Sequence, residues 1–275
     1  MSATRHDPHW LQVVAVAERG PRMRRVRLAG AGLHDFPAGS EGAHIKLLFP
    51  RANPLPALSE LGMAWPEPPP SPLVRTYTVA AVDPVAGWLD VDMVLHGHAG
   101  PGARWTAAAR PGDRIGLIGP GGPPRWQPGA DHFVLIGDPS SHALVCAVMA
   151  QLPQAARGEV LIEVVDQHDL QPLPTRPGMR VHWCPREPRS EAPTGLAAVG
   201  LLATLRALPW PPGTVSVTLA GESAVVVAAR EFLVAQRGVS RRAMYAVPYW
   251  KATLDEDTYH DERHRIMDAF EAEPA

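Results

Sequence analysis

Apolar and polar positions alternate over short stretches in the first half of the chain and give way to longer apolar blocks in the second. The clearest alternation sets Leu89, Val91, Met93 and Leu95 against Asp90 and Asp92, a period of two that predicts a half-buried strand over residues 88–96. Runs rich in Val, Ile, Leu and aromatic residues, each bounded by turn residues, predict further strands at 10–18, 23–28, 44–49, 75–82 and 113–118. Six strands before any long helical pattern predict a closed or nearly closed antiparallel barrel, which leaves no sheet edge exposed. The proline-dense stretch 50–73 reads as an irregular surface loop.

From about residue 131 the rhythm changes. Apolar strand-like runs at 133–137, 160–165, 181–184, 215–219 and 244–247 alternate with helical patterns at 141–152, 195–208 and 223–236. Such alternation implies right-handed crossovers and an open parallel sheet covered on both faces, with ligands at the carboxyl ends of its strands. The charged, amphipathic segment 255–272 predicts an exposed terminal helix. The expected fold is therefore a β-barrel plus an α/β unit, residues 1–128 and 129–275.

Composition narrows the function. Hydrophobic residues at 45% and charged residues at 20% are ordinary globular usage. Lys plus Arg total 26 against 28 for Asp plus Glu, a formal charge of -2, so no basic excess draws in a nucleic acid. The two cysteines, Cys146 and Cys184, are too few for a disulfide scaffold and suit a reducing compartment. Neither a leader-like segment nor a membrane-span-like run is recognised, so the expected setting is the cytoplasm and the expected partner a small molecule.

Two stretches carry candidate chemistry. On an extended strand, Arg75, Tyr77 and Thr78 can meet one elongated ligand, guanidinium to a diphosphate, phenol ring against a planar heterocycle, hydroxyl to a ring heteroatom. Gly100, Gly102 and Ala103 precede a short helical segment, where small residues let backbone N–H groups approach a diphosphate. A barrel followed by an α/β unit is the domain order of flavoprotein reductases.

The sequence resembles the siderophore-interacting protein family, the FAD-dependent ferric-siderophore reductases. The likeness rests on an ordered set: HIKLLFP at 44–50, R-x-Y-T at 75–78, LDVDMVLHG and GPGARW within 89–105, PGD at 111–113 and GP at 119–120. It continues with GD at 137–138, AGES at 220–223, the REFL run from Arg230 and YWK at 249–251. The resemblance implies a flavin-binding barrel and a nicotinamide-binding-type second domain, with FAD as cofactor and NADPH or NADH as donor. It implies that Arg75, Tyr77, Thr78, His96, Gly100, Gly102 and Ala103 hold FAD. It puts Gly137, Asp138, Ala220, Gly221 and Glu222 at the edge that receives the nicotinamide, and Trp250 is counted with the cofactor-binding residues. Lys46 and Lys251 match basic positions offered to an anionic ferric siderophore, and with Tyr77 and Thr78 they form the expected catalytic set.

The chain departs from the family pattern at Ala80 and Gly121, where basic residues are usual, at residues 139–143 after the GD pair, at Leu219 and at Thr253. These positions keep open a flavoenzyme of the same fold acting on an organic substrate, and a non-redox enzyme or binding module in the same pocket. Other candidates read as structural. His96 and His98, and His260 and His264, have the spacing of metal pairs but lack a third ligand. Cys146 and Cys184 read as packed small hydrophobes.

Overall fold

A computed structural model of the chain describes residues 8–49, 72–95, 100–122, 124, 126–186, 200–252, 254 and 256–272. Its contacts divide into two compact units, Met1–Glu18 with Arg24–Pro123, and Arg19–Met23 with Pro124–Ala275.

In the first unit, strands β1 (His9–Glu18), β2 (Met23–Ala29), β3 (His44–Phe49), β4 (Leu73–Asp83), β5 (Trp88–Val94) and β6 (Arg114–Ile118) close into a barrel in the order β1-β2-β5-β4-β3-β6. Leu89, Val91 and Met93 of β5 enter the core with Leu11, Val26 and Leu117, as the alternation predicts. The intervening aspartates do not face open water. Asp90, 1% exposed, takes a two-pronged contact from Arg27, at 2.7 and 2.9 Å, and Asp92 takes one from Arg25 at 2.7 Å on both prongs. Arg27 in turn lies 3.6 Å from the centre of the Trp88 ring. Planar guanidinium forks thus cover the outer face of β5, which polarity alone reads as solvated. The register between β4 and β5 shifts between Val79 and Ala81, so Ala80 is the extra residue of a bulge. Helix α1 (Pro101–Ala108) follows, with Gly102 and Thr106 buried.

The second unit holds a five-stranded parallel sheet, β11-β10-β7-β8-β9, built from β7 (His132–Gly137), β8 (Arg157–Val164), β9 (Gly178–Pro185), β10 (Val215–Glu222) and β11 (Met244–Trp250). Val134, Leu161 and Leu219 pack on one face, and Phe133, Leu135 and Val160 on the other. Burial on both faces explains why these strands read as apolar runs without alternation. Chain order reverses between β7 and β10, which makes their carboxyl ends the topological switch point. The helices are α2 (His142–Gln151), α3 (Leu201–Ala207), α4 (Ser223–Arg237) and α5 (Glu256–Ala272). The predicted start of α3, residues 195–199, lies outside the described residues.

Two expectations change here. Strand β11 runs three residues past 247 because it is an edge strand, where Pro248 gives up no N–H that a second neighbour needs. Helix α5 is anchored by Tyr259, 1% exposed, while Phe270 packs on the second core with the Arg230 guanidinium 4.1 Å from its ring. Burial of two aromatic rings outweighs the charged surface that made this helix look merely exposed. Among the described residues no helix is long and apolar enough to cross a membrane.

Candidate functional site

The barrel site is built on β3 and β4. Their antiparallel register sets Arg75 opposite Leu47 and Tyr77 opposite Ile45, both core residues, so Arg75 and Tyr77 stand on the inner side. Thr78 pairs with His44 and Thr76 with Lys46, on the outer side. The single row of contacts expected from the spacing is therefore two rows, because the pleat turns i+2 and i+3 to opposite faces. Thr78 is buried, while Lys46 and His44 are exposed.

Arg75 is 7% exposed, and its Nη1 donates to the Val74 carbonyl at 2.8 Å. The Tyr77 ring lies 6.1 Å from Phe49, which meets Trp105 edge-on at 5.6 Å. The Tyr77 hydroxyl sits directly against Gly102, where any β-carbon would collide with it. The first turn of α1 starts at Gly100, which has no side chain to cap it, and Pro101 brings no N–H. A buried guanidinium, an aromatic ring and an uncapped helix start with small residues at Gly100, Gly102 and Ala103 form a donor set that fits the diphosphate and ring system of a flavin dinucleotide. His96 lies outside the described residues, as does His98.

A cleft of about 740 Å³ opens elsewhere on this unit, lined by His9, the segment 35–40, Ala43 and residues 119–122. It includes the Gly119–Pro120 pair but none of Arg75, Tyr77 or Thr78. The His44 imidazole packs over Gly121, so the space a basic side chain would need at 121 is taken by histidine.

At the carboxyl edge of the parallel sheet, the expected nicotinamide residues are bound to one another. Asp138 Oδ1 accepts from the Ser140 N–H at 2.8 Å, the Ser140 hydroxyl at 2.5 Å and the Ser141 N–H at 3.3 Å. Its Oδ2 accepts from the Glu222 N–H at 2.9 Å and from Trp250 Nε1 at 2.7 Å. Gly221, at φ +146°, is needed because a β-carbon would lie 2.7 Å from that oxygen. Glu222 caps α4, Oε2 accepting from the Ala224 and Val225 N–H groups at 2.6 and 3.1 Å. Lys251 is tied to Glu262 of α5 at 2.5 Å.

Sequence reasoning passed over two residues here, Glu163 and Arg186. Arg186 donates to Glu163 at 2.7 Å and its guanidinium carbon lies 5.6 Å from the Trp250 ring. Burial pushes the Glu163 carboxyl above its ordinary range; Arg186 pulls it back, and the charges of Asp138 and Glu222 add to the rise. A carboxylate interrupting the apolar run of β8 was the available signal. His260 and His264, both exposed, meet edge-on at 4.5 Å on α5, and no cluster of three or more metal-ligating side chains occurs among the described residues.

Residues 12–124 match the family model of the siderophore-interacting FAD-binding domain, and residues 130–253 match that of the siderophore-interacting protein. A protein of Vibrio cholerae named ferric vibriobactin reductase ViuB is 35% identical over 95% of this chain and 96% of its own length. A Mycobacterium tuberculosis protein named Rv2895c is 32% identical with the same coverage. Among solved structures, the siderophore-interacting protein SipS of Aeromonas hydrophila superposes with a TM-score of 0.81 at 32% identity, over 95% of this chain and 98% of that one. A siderophore utilization protein of T. fusca gives 0.73 at 31% identity, over 90% and 94%. The ferredoxin reductase of carbazole 1,9a-dioxygenase, 19% identical with a TM-score of 0.65, shares the fold.

Proposed function

The chain belongs to the siderophore-interacting protein family, and from that premise we propose that it is an FAD-dependent reductase that passes electrons from a reduced nicotinamide to a ferric siderophore and releases Fe(II). The observation that supports the reading is the barrel site, where buried Arg75, the Tyr77 ring and the start of α1 at Gly100 would offer the three kinds of contact a flavin dinucleotide needs. The relative named a ferric vibriobactin reductase supports the substrate class.

In this reading Arg75 and the backbone at Gly100, Gly102 and Ala103 would hold the diphosphate and Tyr77 would hold the ring system, while His96, the further contact proposed, lies outside the described residues. Thr78, on the outer side with Lys46, would offer its hydroxyl as a hydrogen-bond partner to the ring system. Bound there, the flavin supplies the exchange between a two-electron donor and a one-electron acceptor. Each dihydronicotinamide that becomes a pyridinium gives up two electrons and so serves two Fe(III) centres. The Fe(II) product is held more weakly by hard oxygen ligands and leaves. Lys46 acts as a point charge that draws in an anionic ferric complex and takes no part in proton transfer. Lys251, tied to Glu262, contributes less field than a free ammonium would.

Purification tests the cofactor. The protein should carry, or take up from added FAD, one flavin per chain with the usual visible absorption. A colourless protein that binds none overturns the proposal.

A further inference from the structure

A dinucleotide donor is ordinarily gripped at a switch point by helix N-termini and glycine-lined backbone, which close on its diphosphate. In this chain those places are filled from within. Pro139 has no N–H, the Ser140 and Ser141 N–H groups go to Asp138 Oδ1, the Glu222 N–H goes to Asp138 Oδ2, and the Ala224 and Val225 N–H groups go to Glu222. The close approaches that glycine permits are also used by the chain's own groups. The side-chain space of Gly137 holds the Ser141 hydroxyl at 2.6 Å, and that of Gly221 holds the Asp138 carboxylate at 2.7 Å. Trp250 is fixed by its bond to Asp138, at the ends of the same strands. Among the described residues, the Arg186 guanidinium is already paired with Glu163 and the Lys251 ammonium with Glu262. The start of α1 in the barrel differs, since its N-cap residue, Gly100, has no side chain with which to cap it.

We infer that the described residues of the switch point, closed by Asp138 and Glu222, give no anchor to the diphosphate or to the ADP half of a donor, so that the α/β unit takes a donor by its dihydronicotinamide head. This rests on the reading of the protein as a nicotinamide-dependent flavin reductase. The ring that gives up two electrons and a proton is the same in reduced nicotinamide mononucleotide and in NADPH. A site that draws no binding energy from the ADP half uses the two alike, whereas one that does would lose rate on truncation.

The test compares the two donors on the FAD-loaded protein under anaerobic conditions and measures ADP-ribose binding by calorimetry. The expected results are kcat/KM values within about tenfold of each other, and no ADP-ribose binding up to about 1 mM. Glu222→Ala frees the Ala224 and Val225 N–H groups and removes a negative charge, so it should gain measurable affinity for ADP-ribose. A mononucleotide more than about tenfold poorer than NADPH, or ADP-ribose bound at micromolar concentration by the unaltered protein, overturns the inference and leaves the reductase reading standing. If dithionite reduces the bound flavin and neither nicotinamide does, the nicotinamide-dependent reading itself fails and the inference falls with it.

Discussion

Trp250 Nε1 donates to Asp138 Oδ2 at 2.7 Å and thereby joins the end of edge strand β11 to the end of central strand β7, with β10 between them. Asp138 is buried and accepts five donors in all, so it organises the switch point and has no capacity left for a ligand.

Removing that bond should cost stability. Trp250→Phe keeps an aromatic ring but leaves a buried carboxylate short of one donor, a loss of about 1.5 to 3 kcal/mol for a hydrogen bond to a charged group. Urea unfolding should show a lower midpoint with an unchanged slope.

Arg75→Ala should raise the FAD dissociation constant roughly 10- to 150-fold, corresponding to about 1.5 to 3 kcal/mol for a charge-assisted contact. Fluorescence titration of the flavin measures it. Unchanged affinity would mean the guanidinium serves the barrel interior alone.

Gly102→Ala separates flavin binding from folding. A β-carbon there collides with the Tyr77 hydroxyl and must push the ring aside, yet alanine is the better helix former by up to about 1 kcal/mol. Melting temperature should hold or rise while FAD affinity falls and the flavin absorption bands shift. A fall in both would show that the contact matters to packing rather than to the cofactor.

Glu163 predicts a pH effect. Its folded-state carboxyl sits above the ordinary value because of burial. The folded protein therefore holds that proton longer than the unfolded chain does. Its contribution to stability falls as pH rises from the unfolded carboxylate range through the raised folded value. Glu163→Gln puts a group that does not titrate in this range at the same place, so the stability of wild type relative to this variant should decline as pH is raised from 4 to 7.5. A flat difference would mean that Arg186 cancels the cost of burial.

How legible this was in the sequence depended on how local each cause is. The barrel strands were readable because Leu89, Val91 and Met93 meet the core one pleat apart, and the α/β rhythm because both faces of its strands are apolar. The covering of Asp90 by Arg27 was not, since it joins strands 63 residues apart. Nor was the burial of Tyr259, whose neighbours in sequence are all polar. Arg75, Tyr77 and Thr78 were found as a group, but their division between two faces became plain only from the pairing with β3. Asp138 and Gly221 were named as one edge and Trp250 separately, while the bond from Trp250 to Asp138 depends on tertiary approach across 112 residues.

The reductase reading is tested most directly by Fe(II) yield. FAD-loaded protein, NADPH and a ferric siderophore are mixed anaerobically with a ferrous chelator in the cuvette. The account predicts two chelated Fe(II) for each NADPH consumed, at a rate proportional to protein and lost in Arg75→Ala at limiting FAD. A flavin-replete protein that oxidises NADPH, or is reduced by dithionite, and yet delivers no Fe(II) from any ferric siderophore would contradict it.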